Sequence, residues 1–237
     1  MLKVPESYVS TPGFFRVVCL IVMKDLAVET RSKEIVYTTI FFAVSCMLVF
    51  AFGFVQEGRE IDHVAAGILW VTVTFAGTLA LGRTFERERQ NETLRAILIT
   101  PVDRPAIYVG KLLVLLILMA AVEMIVVPLV SLMFQVPIFE HSILLVMLLI
   151  TGTSGFLAVG TLFAAMLVRV KSRGVLLPVV LYPMTIPVII AGVRGTALLF
   201  QPEVDLAMVQ AWIGMLVFFD TVFITLSLWV FEPLMKE

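Results

Sequence analysis

Six apolar runs, at residues 35–55, 64–82, 106–134, 142–168, 174–193 and 210–230, leave this chain little choice of fold. Each is close to, or longer than, the about 20 residues an α-helix needs to cross a hydrocarbon core. In lipid every backbone N–H and C=O must be satisfied within the segment, so such runs read as helices. Composition agrees: 60% of the 237 residues are hydrophobic and 15% are charged, with a mean hydropathy of +1.06. A soluble domain is about 25% charged. The expected fold class is all-α, a polytopic membrane protein with six transmembrane helices. A net charge of −1 offers no basic surface to nucleic acid. Cys19 and Cys46 form no CxxC pattern, which argues against a redox or haem-attachment motif. Residues 1–34 carry charges throughout with no short apolar core, so no signal peptide is expected.

Two parts follow from the pattern. Residues 1–34 read as a loose tail and a helix lying in the membrane interface. The segment 14–34 is apolar in its first half and charged in its second, with Lys24, Asp25, Glu29 and Arg31. Residues 35–237 read as the six-helix domain. Lys and Arg orient it: fifteen of the seventeen fall on the N-terminal segment, the connection after the second run counted with Lys111 on its flank, the short loop 169–173 and the tail. Only Arg59 and Arg194 fall on the other side. The positive-inside rule then puts both termini in the cytoplasm.

The connection between the second and third runs, 83–105, is the most charged long segment. Glu86, Arg87, Glu88, Arg89, Glu92 and Arg95 alternate in sign, and Leu94, Ile97 and Leu98 give one apolar side. Either this is a solvated linker, or a short helix that docks into a cytoplasmic partner, with Pro101 and Pro105 ending it. Glu123 and Asp220 lie inside spans, where a carboxylate costs on the order of 3 kcal/mol. Each should face the bundle interior, as a hydrogen-bonded structural carboxyl or as a group that touches cargo or protons. His63 and His141 sit at span ends, where a histidine more often meets water than ligates iron. Trp70, Trp212 and Trp229 are scattered, and interface anchoring is the default reading. Pro178, Pro183 and Pro187 in one span each remove an intrahelical hydrogen bond. They predict a broken helix lining a cavity, or a kink that only shapes packing. No nucleotide loop, zinc motif or nucleophile elbow occurs, so no catalytic or metal-binding residues are assigned.

Across these motifs the chain resembles the CcmB family, the permease subunit of the ABC-type haem exporter of cytochrome c maturation. The resemblance is carried by Lys24-Asp25-Leu26 with Glu29, Arg31 and Glu34. It continues through Phe85, Glu86, Glu88, Thr93-Leu94, Leu98, Pro101 and Gly110-Lys111. It extends to Gly155-Phe156, to Gly160-Thr161-Leu162, and to Arg173 with the Pro178, Pro183 and Pro187 motif. Glu123 departs from it, since an apolar residue is usual there. The resemblance implies an ABC-2-like exporter bundle in the bacterial inner membrane, without catalysis of its own. It implies a separate ATPase subunit (CcmA-type), and membrane partners of CcmC and CcmD type. It makes Phe85, Glu86, Glu88, Arg89, Leu94 and Leu98 candidates for ATPase docking, and haem a cargo rather than a bound cofactor. Two alternatives stay open. One is a subunit that transports nothing and transmits ATPase motion to a haem-handling partner; the other is a general ABC-2-type exporter permease.

Overall fold

The computed structural model describes residues 13–54, 61–90, 103–138, 140–170 and 173–234. Within them the chain is all-helical. A first helix, α1 (Phe14–Ser32), precedes α2 (Glu34–Phe54), α3 (Ile61–Gln90) and α4 (Arg104–Phe134). Then come α5 (Ser142–Met166) with a 3₁₀ turn at Leu167–Arg169, α6 (Arg173–Phe200) and α7 (Leu206–Leu234). The last six, α2 to α7, are each long and apolar enough to cross a membrane. The chain is a polytopic helical membrane protein.

Helices α3 and α5 form the centre. Over their most apolar stretches 67% and 61% of residues are buried, against 11% for α7. Helix α3 packs on α2, α4, α5 and α6, and α5 packs on α3, α4, α6 and α7. Trp70 of α3 is the side chain the three inner helices close around. It is fully buried, and its indole Nε1 donates to Thr196 Oγ1 of α6 at 2.9 Å. A Cβ built at Gly152 of α5 would lie 2.0 Å from this indole, and one at Gly192 of α6 would lie 2.4 Å from it. Two glycines therefore form its slot, which is how small residues bring membrane helices into contact. Trp70 is a packing centre, not an interface anchor: with glycine on both facing helices, the inner slot takes the whole ring.

Several boundaries differ from the sequence reading. The second span does not end at Gly82. Helix α3 continues through the charged residues to Gln90, because Arg87 and Glu88 find partners on neighbouring helices and Glu86 pairs with Arg89 at 2.9 Å. Pro105 does not stop a helix; it opens α4, where the missing N–H costs nothing. Nor is the fifth span broken. Helix α6 runs unbroken through Pro178, Pro183 and Pro187 and on to Phe200, carrying Arg194 within it. The prolines stand four or five residues apart, so intact hydrogen bonds between them hold the helix, as membrane helices often allow. Pro128 likewise lies inside α4.

Candidate functional site

The charged groups collect where α1 meets α3 and α4. On α1, Val17, Ile21, Asp25 and Glu29 recur every fourth residue and share one buried stripe. Its apolar half rests on α4: a Cβ at Gly110 would lie 2.9 Å from Ile21. Its acidic half meets two cations that arrive from elsewhere in the chain. The opposite face leaves Phe15, Leu20 and Met23 exposed.

Lys111, one residue beyond Gly110, is 2% exposed. Its ammonium lies 2.5 Å from Asp25 Oδ2 and ion-pairs with Glu88 of α3. Lys24, nearer the surface, reaches Asp25 Oδ1 at 3.0 Å. One turn further along α1, Arg87 Nη1 donates to Glu29 Oε2 at 2.8 Å. The other Glu29 oxygen accepts from the Val36 amide at 2.9 Å. That amide belongs to the first turn of α2, so Glu29 caps α2 while it holds α3. Between them, Lys33 takes a left-handed conformation (φ 54°) and donates its amide to the Glu29 carbonyl at 2.6 Å. The turn from α1 into α2 is thus fixed by backbone and side chain of one residue.

The six groups Lys24, Asp25, Glu29, Arg87, Glu88 and Lys111 carry three positive and three negative charges. Neutrality explains how a lysine and three carboxylates sit buried together, since an unpaired charge there would cost several kcal/mol. Burial alone would raise the Asp25 carboxyl. The Lys111 and Lys24 ammonium groups outweigh it and hold the carboxyl below its ordinary range. The arrangement makes α1, α3 and α4 one body at this end of the bundle.

The predicted docking residues separate in space. Phe85 and Glu88 are buried, 2% and 5% exposed, and face the chain's own interior. Glu86 is half-buried, and Arg89 is exposed beside it. Leu94 and Leu98 lie outside the described residues. On α1, Asp25 and Glu29 turn inward while Arg31 is exposed. Arg173 begins α6, and Pro178, Pro183 and Pro187 follow along it.

The intramembrane acids both find hydroxyl partners on α5. Thr153 donates to Glu123 of α4, and the adjacent Ser154 donates to Asp220 of α7. Two neighbouring residues of one central helix therefore hold carboxyls on either side. The second Asp220 oxygen is buried without a hydrogen bond. Lys111 is the functional-site residue that sequence reasoning missed as a partner. A lysine directly before the run 112–119 is itself a signal, because it requires a counter-ion.

A helical membrane protein whose short N-terminal helix is ion-paired onto the ends of two spans is the class that fold and site define. Within that class the comparison with known proteins is specific. The family model described as "CcmB protein" matches residues 16–233, and the chain belongs to that family. "Heme exporter protein B" of Rhodobacter capsulatus is 32% identical over 171 residues, covering 71% of this chain and 78% of the relative. The protein of the same name from Paracoccus denitrificans is 27% identical, covering 79% and 90%. That of Pseudomonas aeruginosa is 26% identical, covering 68% and 72%.

Proposed function

We propose that this chain is the non-catalytic permease subunit of an ABC-type haem exporter complex in cytochrome c biogenesis. The support is membership of the CcmB family, together with relatives that carry the name heme exporter protein B. The complex lies in the bacterial inner membrane with both termini of this chain in the cytoplasm, as the distribution of Lys and Arg favours. A CcmA-type ATPase docks against the end of α3, and CcmC-type and CcmD-type subunits complete the assembly. Haem is cargo, not a resident cofactor of this chain.

The observation that carries the mechanism is the ion-paired junction. An ATPase that moves the end of α3 pulls on Glu88 and Arg87. Those side chains pass the displacement to Lys111 of α4 and to Asp25 and Glu29 of α1. Contact with the ATPase falls to the outward side of α3, at Glu86 and Arg89, and to the segment beyond with Leu94 and Leu98. Phe85 and Glu88 act from inside.

Two measurements test this. Affinity purification of the native chain should bring down an ATP-binding subunit, and Arg89→Glu should weaken that recovery while the bundle stays folded. Undiminished recovery with Arg89→Glu and Glu86→Lys combined would count against docking here. ATP-dependent haem flux into vesicles holding the whole complex should be measurable. Haem-chaperone release without flux would replace the permease reading by one in which the subunit only transmits motion.

A further inference from the structure

A cleft of about 750 Å³ lies between α2, α3 and α6, closed at one end by the last turn of α5. Helices α2 and α6 both pack on α3 and leave this space between them. The ion-paired junction does not account for it. Its walls are apolar through Phe42, Phe75, Leu177 and Pro178. Its inner end holds two hydroxyls, Thr78 Oγ1 donating to Tyr182 Oη at 3.3 Å. Its mouth holds Arg83, Glu86 and Arg89.

The dimensions select an occupant. Along α3 the cleft runs from Phe75 to Arg89, a rise of about 21 Å at ~1.5 Å per residue. One leaflet, headgroups included, is about 20–22 Å deep. The cleft thus has the depth of one leaflet, apolar at the level of acyl chains and charged at the level of headgroups. It opens toward lipid, since Phe42 and Phe75 in its walls are exposed apolar residues. Charge selects further. Arg89 is paired with Glu86 at 2.9 Å, whereas Arg83 is exposed and has no ion pair among the described residues. Two cations against one anion leave the mouth with a net charge of +1.

We infer that this cleft binds one anionic phospholipid, its phosphate on Arg83 and an acyl chain between α2 and α6 against Phe42, Phe75 and Leu177. The lipid fills space that neither helix fills. It also joins α2 to the first turns of the proline-containing α6. This site is separate from the ion-paired junction and does not depend on what the complex exports.

Native mass spectrometry of the full chain, in detergent holding equal amounts of phosphatidylglycerol and phosphatidylcholine, tests it. One phosphatidylglycerol should be retained in preference to phosphatidylcholine. Arg83→Ala should lower that retention about fivefold, equivalent to the ~1 kcal/mol of one cation near an anionic headgroup. Gly174→Phe should exclude both lipids, because a Cβ there meets nothing within 4 Å and the ring has the cleft to enter. Arg16→Ala, an exposed cation on α1, is the control and should change nothing. Unaltered helix content and melting temperature keep the variants comparable. Equal retention of the two lipids, native-like retention by Arg83→Ala, or equally effective competition by inorganic phosphate would overturn the assignment.

Discussion

Replacing Lys111 with methionine removes the one ammonium that faces both Asp25 and Glu88. The side chain is 2% exposed, so water cannot take its place without rearrangement. Asp25 keeps only Lys24, which is itself 40% exposed, and Glu88 keeps no cation among the described residues. Removing one member of a buried ionic cluster costs about 3–5 kcal/mol, mostly because a charge is left unpaired. The loss should be local. Helix α1 is joined to the bundle by this stripe, so α1 opens before the six spans do. Hydrogen exchange of α1 amides in the detergent-solubilised chain reads that opening. Lys111→Met should speed exchange across residues 17–29 by about a hundredfold or more, the equivalent of ~3 kcal/mol. The triple variant Lys111→Met, Asp25→Asn, Glu88→Gln should recover most of the protection, because Arg87 and Glu29 stay paired and Lys24, 40% exposed, reaches water, so no buried charge is left unpaired. Unchanged exchange in the single variant would refute the reasoning. So would a triple variant no better protected than the single one.

Acid should act on the same junction: Asp25 is held below its ordinary 3.8, so its stabilising effect is complete above that value and fades as pH falls through the lowered one. Protection of α1 should therefore persist at pH 5, begin to fade only below about pH 4 and be lost as pH falls further through the lowered value, as exchange corrected for intrinsic rates would show. Gly152→Ala and Gly192→Ala should each destabilise the bundle by about 1–3 kcal/mol through overpacking on Trp70. Gly67→Ala, where a Cβ meets nothing within 4 Å, should not; thermal melts of the three variants compare them directly. Glu29→Ala removes both the Arg87 pair and the cap on α2, so exchange at Val36 and Tyr37 should rise by about tenfold, the effect of a lost cap near 1 kcal/mol plus the pair.

Spans were legible because hydropathy reports burial in lipid or protein alike. Their ends were not, because hydropathy does not separate a helix that ends from one that continues into water. Arg87 and Glu88 read as part of a connection, either a linker or a separate docking helix, yet they sit on the last turns of α3, held by Glu29 and Lys111. Those partners lie 58 residues away from Arg87 and 23 from Glu88, beyond the reach of any local pattern. Arg194 read as the start of a loop because it is charged, though it is one exposed residue on a helix that runs on through buried Thr196, Ala197, Leu199 and Phe200. The two intramembrane acids were visible as a cost, while Thr153 and Ser154, which offset it, look like any small polar residues in a span. Trp70 shows the converse: its place depends on Gly152 and Gly192, and only the tertiary fold brings them to it.

The unbroken course of α3 has a geometric consequence. Its 30 residues make a rod of about 45 Å, roughly 15 Å longer than the hydrocarbon is thick. Trp70, hydrogen-bonded to α6 and seated between two glycines, holds this rod about a third of the way from Ile61. A tilt about that point would sweep Gln90 through an arc roughly twice that of Ile61, in the opposite direction. A tilt of about 5° would carry the Gln90 end some ~2.6 Å at a lever arm of ~30 Å. That is close to the length of the ion pairs fastened beside it, so α4 and α1 would have to travel with α3 or let go.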